Sequence, residues 1–279
     1  MFDSRLQARV DEIKWYHEFD FGDGIRAQSF TPDVAGHRRV WRFIERQLDA
    51  VDFHGKTVLD IGAWDGYWSF LAERKGAKYV LAADDVSQNW SDGRGLPFAK
   101  ELLRSSVCID QDLSVYRLAS LNRKFDIIMC LGVYYHLLDP FYALAQIRHC
   151  CHPGTLVLLE GNVGRVGMRA DEVRYTFGDS RLSAFVPSIQ ALENLLMLAY
   201  LRVQSQAWLR PGPFRRVKGL VQHVRRFKTI STTFIDRAFT VCTPFEGVNA
   251  LHTYEPPFDL GNYDDRFRKS GSISPHEVS

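Results

Sequence analysis

Two rhythms of apolar residues divide the chain near residue 55. Before it, Val40, Phe43, Ile44, Leu48 and Val51 recur at helical spacing within DVAGHRRVWRFIERQLDAV, and Asp33 after Thr31-Pro32 supplies a start signal. An earlier helix is predicted near residues 3–13, and WYHEFDFGDG, residues 15–24, reads as an aromatic loop closed by Gly-Asp-Gly. After residue 55, short β-rich runs alternate with helical ones. Strands are predicted at TVLDIG, KYVLAAD, SVCI, FDIIMCLG and TLVLLEG, with two more near 202–209 and 232–242. Helices are predicted at YWSFLAERKG, GLPFAKELLR, PFYALAQIRHCC and SIQALENLLMLAYL.

Nearly continuous apolar strands alternating with helices predict a parallel sheet covered on both faces. The expected fold class is α/β, a doubly wound, mostly parallel, seven-stranded Rossmann-like sheet with an N-terminal helical lid. Residues 1–54 form the lid in this reading, 55–245 the sheet domain with a basic insertion near 210–230, and 246–279 a C-terminal arm.

Composition changes this picture little. A hydrophobic fraction of 46% over 279 residues suits one large domain, and a net charge of +2 does not demand a nucleic-acid or membrane partner. The opening MFDSRLQARVDEIK reads as an exposed helix and not as a targeting segment, so a cytoplasmic location is expected. The five cysteines show no CxxC spacing and read as reduced thiols in a core. No His, Cys or carboxylate cluster has metal-ligand spacing, so a metal-free reaction is expected.

The candidate chemistry starts at DIGAWDGYWSF, residues 60–70, where a strand turns into a helix. In a doubly wound sheet such a turn faces the ligand. A dinucleotide loop wants GxGxxG beneath its pyrophosphate. Here Trp64 stands between Gly62 and Gly66, and Asp60 and Asp65 would repel phosphate. S-adenosylmethionine carries a sulfonium and an ammonium, both cationic, and suits carboxylates at this loop. Asp84, closing the next strand, can accept both ribose hydroxyls; alternatively Asp60 and Asp84 only cap loops.

VLDIGAWDGYWSF, AADD and FDIIMCLGVYYHLLDP together resemble class I S-adenosylmethionine-dependent methyltransferases, over roughly residues 55–210. Gly132-Val-Tyr-Tyr-His136 and Phe185-Val-Pro-Ser188 narrow the likeness to the branch related to the tRNA wobble-uridine carboxymethyltransferase. The resemblance implies a tolerated Trp64 where the backbone needs no positive φ, its ring lying beside the cofactor's methionine part or packing beneath the lid. It also implies adenine near Ser114, Val115 and Tyr116, with Asp112 as the candidate reader of the amino group, and Leu131 and Gly132 on the sulfonium side. A carboxylated cofactor would want a lysine in a WRKGPF-type stretch; KWYHEFDFGDG does not supply that motif, so plain S-adenosylmethionine is expected.

In-line methyl transfer depends on positioning, and an oxygen acceptor also wants a base. His136 is the leading candidate base, or else a loop anchor; Tyr135 is a candidate orienting residue, and Glu160 a second base or a loop cap. Tyr16, His17 and His37 could close over the acceptor. From Asn194 to Ile235 the chain has no Asp or Glu, and Arg210, Arg215, Arg216, Lys218, Arg225, Arg226 and Lys228 read as a solvated excursion or an RNA contact. The expected function is O-methylation of a polar small molecule, a sugar or natural-product intermediate, with a homodimer as an open state. A tRNA wobble-uridine-modifying enzyme and a non-catalytic cofactor-binding protein are the alternatives.

Overall fold

The computed structural model describes residues 3–88, 93–175, 185–209, 234–247, 249 and 251. The chain opens with α1 (Ser4–Asp11), a hairpin of β1 (Phe19–Gly22) and β2 (Ile25–Ala27), and α2 (Val34–Leu48). Then follow β3 (Thr57–Ile61), α3 (Tyr67–Arg74), β4 (Tyr79–Ala83), α4 (Gly95–Leu103) and β5 (Cys108–Asp110). The second half holds β6 (Phe125–Leu131), α5 (Pro140–His149), β7 (Cys151–Val166), β8 (Val173–Tyr175), β9 (Phe185–Pro187), α6 (Ile189–Leu198), β10 (Leu201–Leu209) and β11 (Phe234–Pro244).

Seven strands form the central sheet in the order β10-β11-β7-β6-β3-β4-β5. From the centre, β3, β4 and β5 grow one way and β6 and β7 the other, these five strands all pairing in parallel with one another. Strand order reverses between β3 and β6, which places the ligand crevice beyond their carboxyl ends. Only β11 runs against its neighbours, antiparallel to both β7 and β10. The seven-stranded, mostly parallel sheet is therefore the predicted one.

Alternation along the strands feeds two cores. Leu59, Ile61, Ile128, Cys130 and Leu159 pack with Ala143, Ile147, Leu192 and Leu196 of α5 and α6. Val58, Ile127, Met129 and Leu158 pack with Trp41, Ile44, Leu48, Phe70 and Leu96 on the other face. Each such aliphatic or aromatic side chain removed from water contributes roughly 1.5–3 kcal/mol.

Helix starts follow the caps in the sequence. Asp33 Oδ1 accepts from Gly36 N at 3.1 Å, Asp139 Oδ1 from Tyr142 N at 3.0 Å, and Ser188 Oγ from Ala191 N at 3.1 Å. Two local expectations are corrected. Residues 15–24 are not a loop, because Phe19 and Asp20 pair with Ala27 and Arg26 across a turn in which Gly22, Asp23 and Gly24 all have positive φ. The N-terminal segment is thus two helices around a hairpin. The strand read at TLVLLEG runs on to Val166, since its distal half, without any apolar run, pairs with β11.

All five cysteines are free thiols, and Cys130, Cys150, Cys151 and Cys242 are buried. Among the described residues no helix is long and apolar enough to cross a membrane. The basic insertion at 210–230 and nearly all of the 246–279 arm lie outside the described residues.

Candidate active site

The β3–α3 loop sits at the switch point. Gly62 N and Ala63 N donate to Ala83 O at 2.8 and 3.0 Å, tying the loop to the end of β4. Gly62 and Gly66 have φ of +69° and +83°, and a Cβ on either would collide, with Val133 Cγ2 at 2.6 Å or Leu96 Cδ1 at 2.4 Å. Both positions need glycine. Trp64 has φ of +55°, so the expectation that its backbone needs no positive φ is corrected. A left-handed non-glycine residue costs about 1–2 kcal/mol. The Trp64 ring meets the lid, 5.7 Å from that of Tyr16.

The acids around this loop do different things. Asp60 is buried, accepts from Ser69 Oγ at 2.6 Å, and has its pKa pushed up to about 7 by desolvation and by the nearby Asp84 and Asp65 carboxylates. Asp84 closes β4 almost fully buried, its backbone bonded to Asp110 O and Leu113 N. Asp65 does not face an open loop as the sequence argument took it. Its Oδ2 accepts from Tyr16 N at 3.0 Å and His17 N at 2.7 Å, and its Oδ1 lies 2.7 Å from His17 Nδ1.

Past β5, Asp112 is exposed, bridges to Asp85 and accepts from Arg117 at its carbonyl. Ser114 caps the short turn over Val115–Leu121, accepting from Tyr116 N at 3.4 Å. Val115 and Leu131 are buried in the two cores. The β3–β4–β5 ladder brings this segment beside Asp84.

The opposite wall comes from β6, β7 and β11. Gly132 N donates to Glu160 O at 2.9 Å and fixes the turn that carries Tyr135 and His136. Glu160 is fully buried, and its two oxygens accept from Arg237 Nε at 2.7 Å and Nη2 at 2.6 Å. Glu160, read from the sequence as a second base or a loop cap, is one half of a bidentate ion pair. Arg237 Nη1 continues to Tyr135 Oη at 3.0 Å and Asn162 Oδ1 at 3.2 Å. His136 has its ring 4.2 Å from that of Tyr135 and open to solvent on one side. Burial on its protein side, then the Arg237 charge, pushes its pKa down to about 4. It is neutral at pH 7.

Desolvation, then the neighbouring Tyr135, raises the Tyr16 pKa well above the usual 10.0. Sequence reading missed Arg237 and Asn162, which no local pattern marks. The β7–β11 register places Arg237 opposite Asn162, two residues from Glu160. Among the described residues, no three His, Cys, Asp or Glu side chains group as metal ligands.

Residues 34–206 match the family described as methyltransferase domain. The chain is 36% identical over 213 residues to a tRNA U34 carboxymethyltransferase of Campylobacter hominis, covering 63% of this chain and 70% of that protein. It is 30% identical over 208 residues to the one of Pseudomonas aeruginosa, covering 71% of this chain and 60% of that protein. For the one of Azotobacter vinelandii the identity is 28%, covering 58% of this chain and half of that protein. The chain therefore spans about half to 70% of these relatives. Among solved structures, the N-terminal domain of EvdMO1, crystallised in the presence of SAH and D-fucose, aligns with a TM-score of 0.58 at 18% identity, covering 88% of this chain and 98% of that one. Burkholderia thailandensis 1,6-didemethyltoxoflavin-N1-methyltransferase aligns with a TM-score of 0.51 at 13% identity, covering 82% of this chain and all of that one. At these identities the structures bear on the fold.

Proposed function

The chain belongs to the class I S-adenosylmethionine-dependent methyltransferases, and on that premise we propose that it methylates a hydroxyl on a polar small molecule, a sugar or natural-product intermediate. The cofactor fits what the loop offers. Gly62 and Gly66 hold the loop in a left-handed backbone packed tightly against Val133 and Leu96, and the buried, mutually repelling Asp60 and Asp84 favour a cation over a phosphate. Asp84 would hold the ribose, Asp60 the cationic end from beneath, and Ser114, Val115 and Leu131 the adenine and sulfonium sides, with Asp112 at the amino group. When bound, S-adenosylmethionine supplies an electrophilic methyl on a sulfonium.

The protein's own part is to position the acceptor and take its proton. A hydroxyl becomes strongly acidic as its oxygen forms the new bond, so a weak base suffices if it is unprotonated and in reach. His136 is such a base, neutral at pH 7 and beside Tyr135, whose hydroxyl is fixed by Arg237. Glu160 is reassigned from base to anchor of Arg237. The observation that supports the choice of plain over carboxylated cofactor is this same pair: the Arg237 charge is already matched by Glu160. The partition into a lid over 1–54, a transferase unit over 55–245 and an arm over 246–279 belongs to the same proposal. The test is release of S-adenosylhomocysteine from S-adenosylmethionine over a panel of sugars and hydroxylated metabolites. Turnover that His136→Ala abolishes, with S-adenosylhomocysteine binding kept, supports the base; an unchanged rate refutes it.

One observation favours the second reading, modification of wobble uridine in tRNA. The outer face of α2 carries exposed Arg38, Arg39, Arg42 and Arg46, a stripe suited to phosphates, and the named relatives act on tRNA U34. Against it, Arg38 is paired with Glu18.

A further inference from the structure

We infer that Asp65 and His17 are positioning residues that latch the lid onto the cofactor loop, so that lid docking and cofactor binding form one equilibrium. The inference rests on the reading that the β3–α3 loop holds S-adenosylmethionine. Asp65 lies between the left-handed Trp64 and Gly66, and its carboxylate spends both oxygens on a segment 48 residues earlier. The amides of Tyr16 and His17 and the His17 imidazole converge on it at 2.7–3.0 Å, with His17 and Asp65 both nearly fully buried. On its other side the same segment is held by Ser29 Oγ, which donates to Tyr16 O at 2.7 Å, and by a bridge from Trp15 to Ser29.

The His17 ring stacks 4.7 Å from Tyr67, the first residue of α3, and meets Trp68 edge-on at 5.2 Å. The latch thus touches the loop at its middle and the helix at its start. His17 Nε2 is buried and finds no hydrogen-bond partner among the described residues. Through Tyr16, whose ring lies 5.7 Å from that of Trp64, the latch also reaches the left-handed residue of the loop.

The test is calorimetric titration with S-adenosylhomocysteine, paired with hydrogen exchange over residues 12–31 with and without that ligand. Asp65→Ala is expected to weaken binding about tenfold or more and to abolish ligand-induced protection of residues 12–31. His17→Ala should do the same in part, and His17→Asn, whose amide can stand in for Nδ1, should restore binding. A folded Asp65→Ala that binds within about twofold of wild type overturns the latch, provided Asp84→Asn weakens binding. Unchanged binding in both Asp65→Ala and Asp84→Asn overturns the cofactor reading itself. If Asp65→Ala does not fold, identical binding by His17→Ala and His17→Asn overturns the latch.

Discussion

Glu160 and Arg237 are a buried pair, and their worth shows when one partner is lost. Glu160→Gln leaves a guanidinium without its counter-charge and is expected to destabilise the fold by about 3–5 kcal/mol, whereas an apolar replacement of both costs less; urea unfolding of the single and double variants checks this. Asp60 has a folded pKa of about 7 against the usual 3.8. Its stabilising contribution is present below about 3.8 and is lost as pH rises through 7, because ionising the carboxyl inside the protein is opposed. A bound cation reverses the preference, so affinity for S-adenosylmethionine should fall up to tenfold per pH unit below about 7, and Asp60→Asn should flatten the profile in calorimetry. His136 runs the other way. Its pKa is lowered from 6.5 to about 4, so its contribution is present above 6.5 and lost as pH falls through 4; an imidazole NMR titration reads the midpoint directly. The placement of Asp60, Gly62, Gly66 and Asp84 near the ends of β3, α3 and β4 was legible because they belong to local strand-end motifs. Arg237 was not, since only the β7–β11 register, 77 residues on, brings it to Glu160. Asp65 was misread because nothing local says that a carboxylate will be consumed by backbone amides of a distant lid.

Elements, by contrast, follow periods and caps. The strands from β3 to β6 and helices α3 to α6 lie where alternation, Asp139-Pro140 and Ser188 predict them. The β1–β2 hairpin escaped because its Gly22-Asp23-Gly24 turn sits among aromatic residues with little alternation, and the far half of β7 because its pairing with β11 replaces an apolar signal. The β3–α3 loop is the element most sensitive to substitution. Gly62→Val adds a branched side chain at φ of +69° and drives it into Val133. The expected loss is about 2–4 kcal/mol, read as a lower unfolding temperature, together with loss of S-adenosylhomocysteine binding, because Val133 leads into the turn bearing Tyr135 and His136.

At the scale of the molecule, one half of the sheet offers buried acids at the ends of β3 and β4, the other an Arg237–Glu160 pair with Tyr135 and His136. That division is the basis on which we propose a cationic cofactor on one side and a neutral, hydroxyl-bearing acceptor on the other. It also separates the two substrate readings. If tRNA is not the acceptor, changing Arg39, Arg42 and Arg46 together to Ser leaves turnover of a small acceptor within about twofold, a bound set by the modest worth of exposed charges. A loss of binding to tRNA with a steep salt dependence would speak for the other reading. The most direct measurement is native mass spectrometry of the protein purified without added ligand, with release and identification of whatever is bound. S-adenosylmethionine or S-adenosylhomocysteine is the predicted result. Carboxy-S-adenosylmethionine would contradict the claim that Arg237 is already neutralised, and with it the choice of methyl transfer.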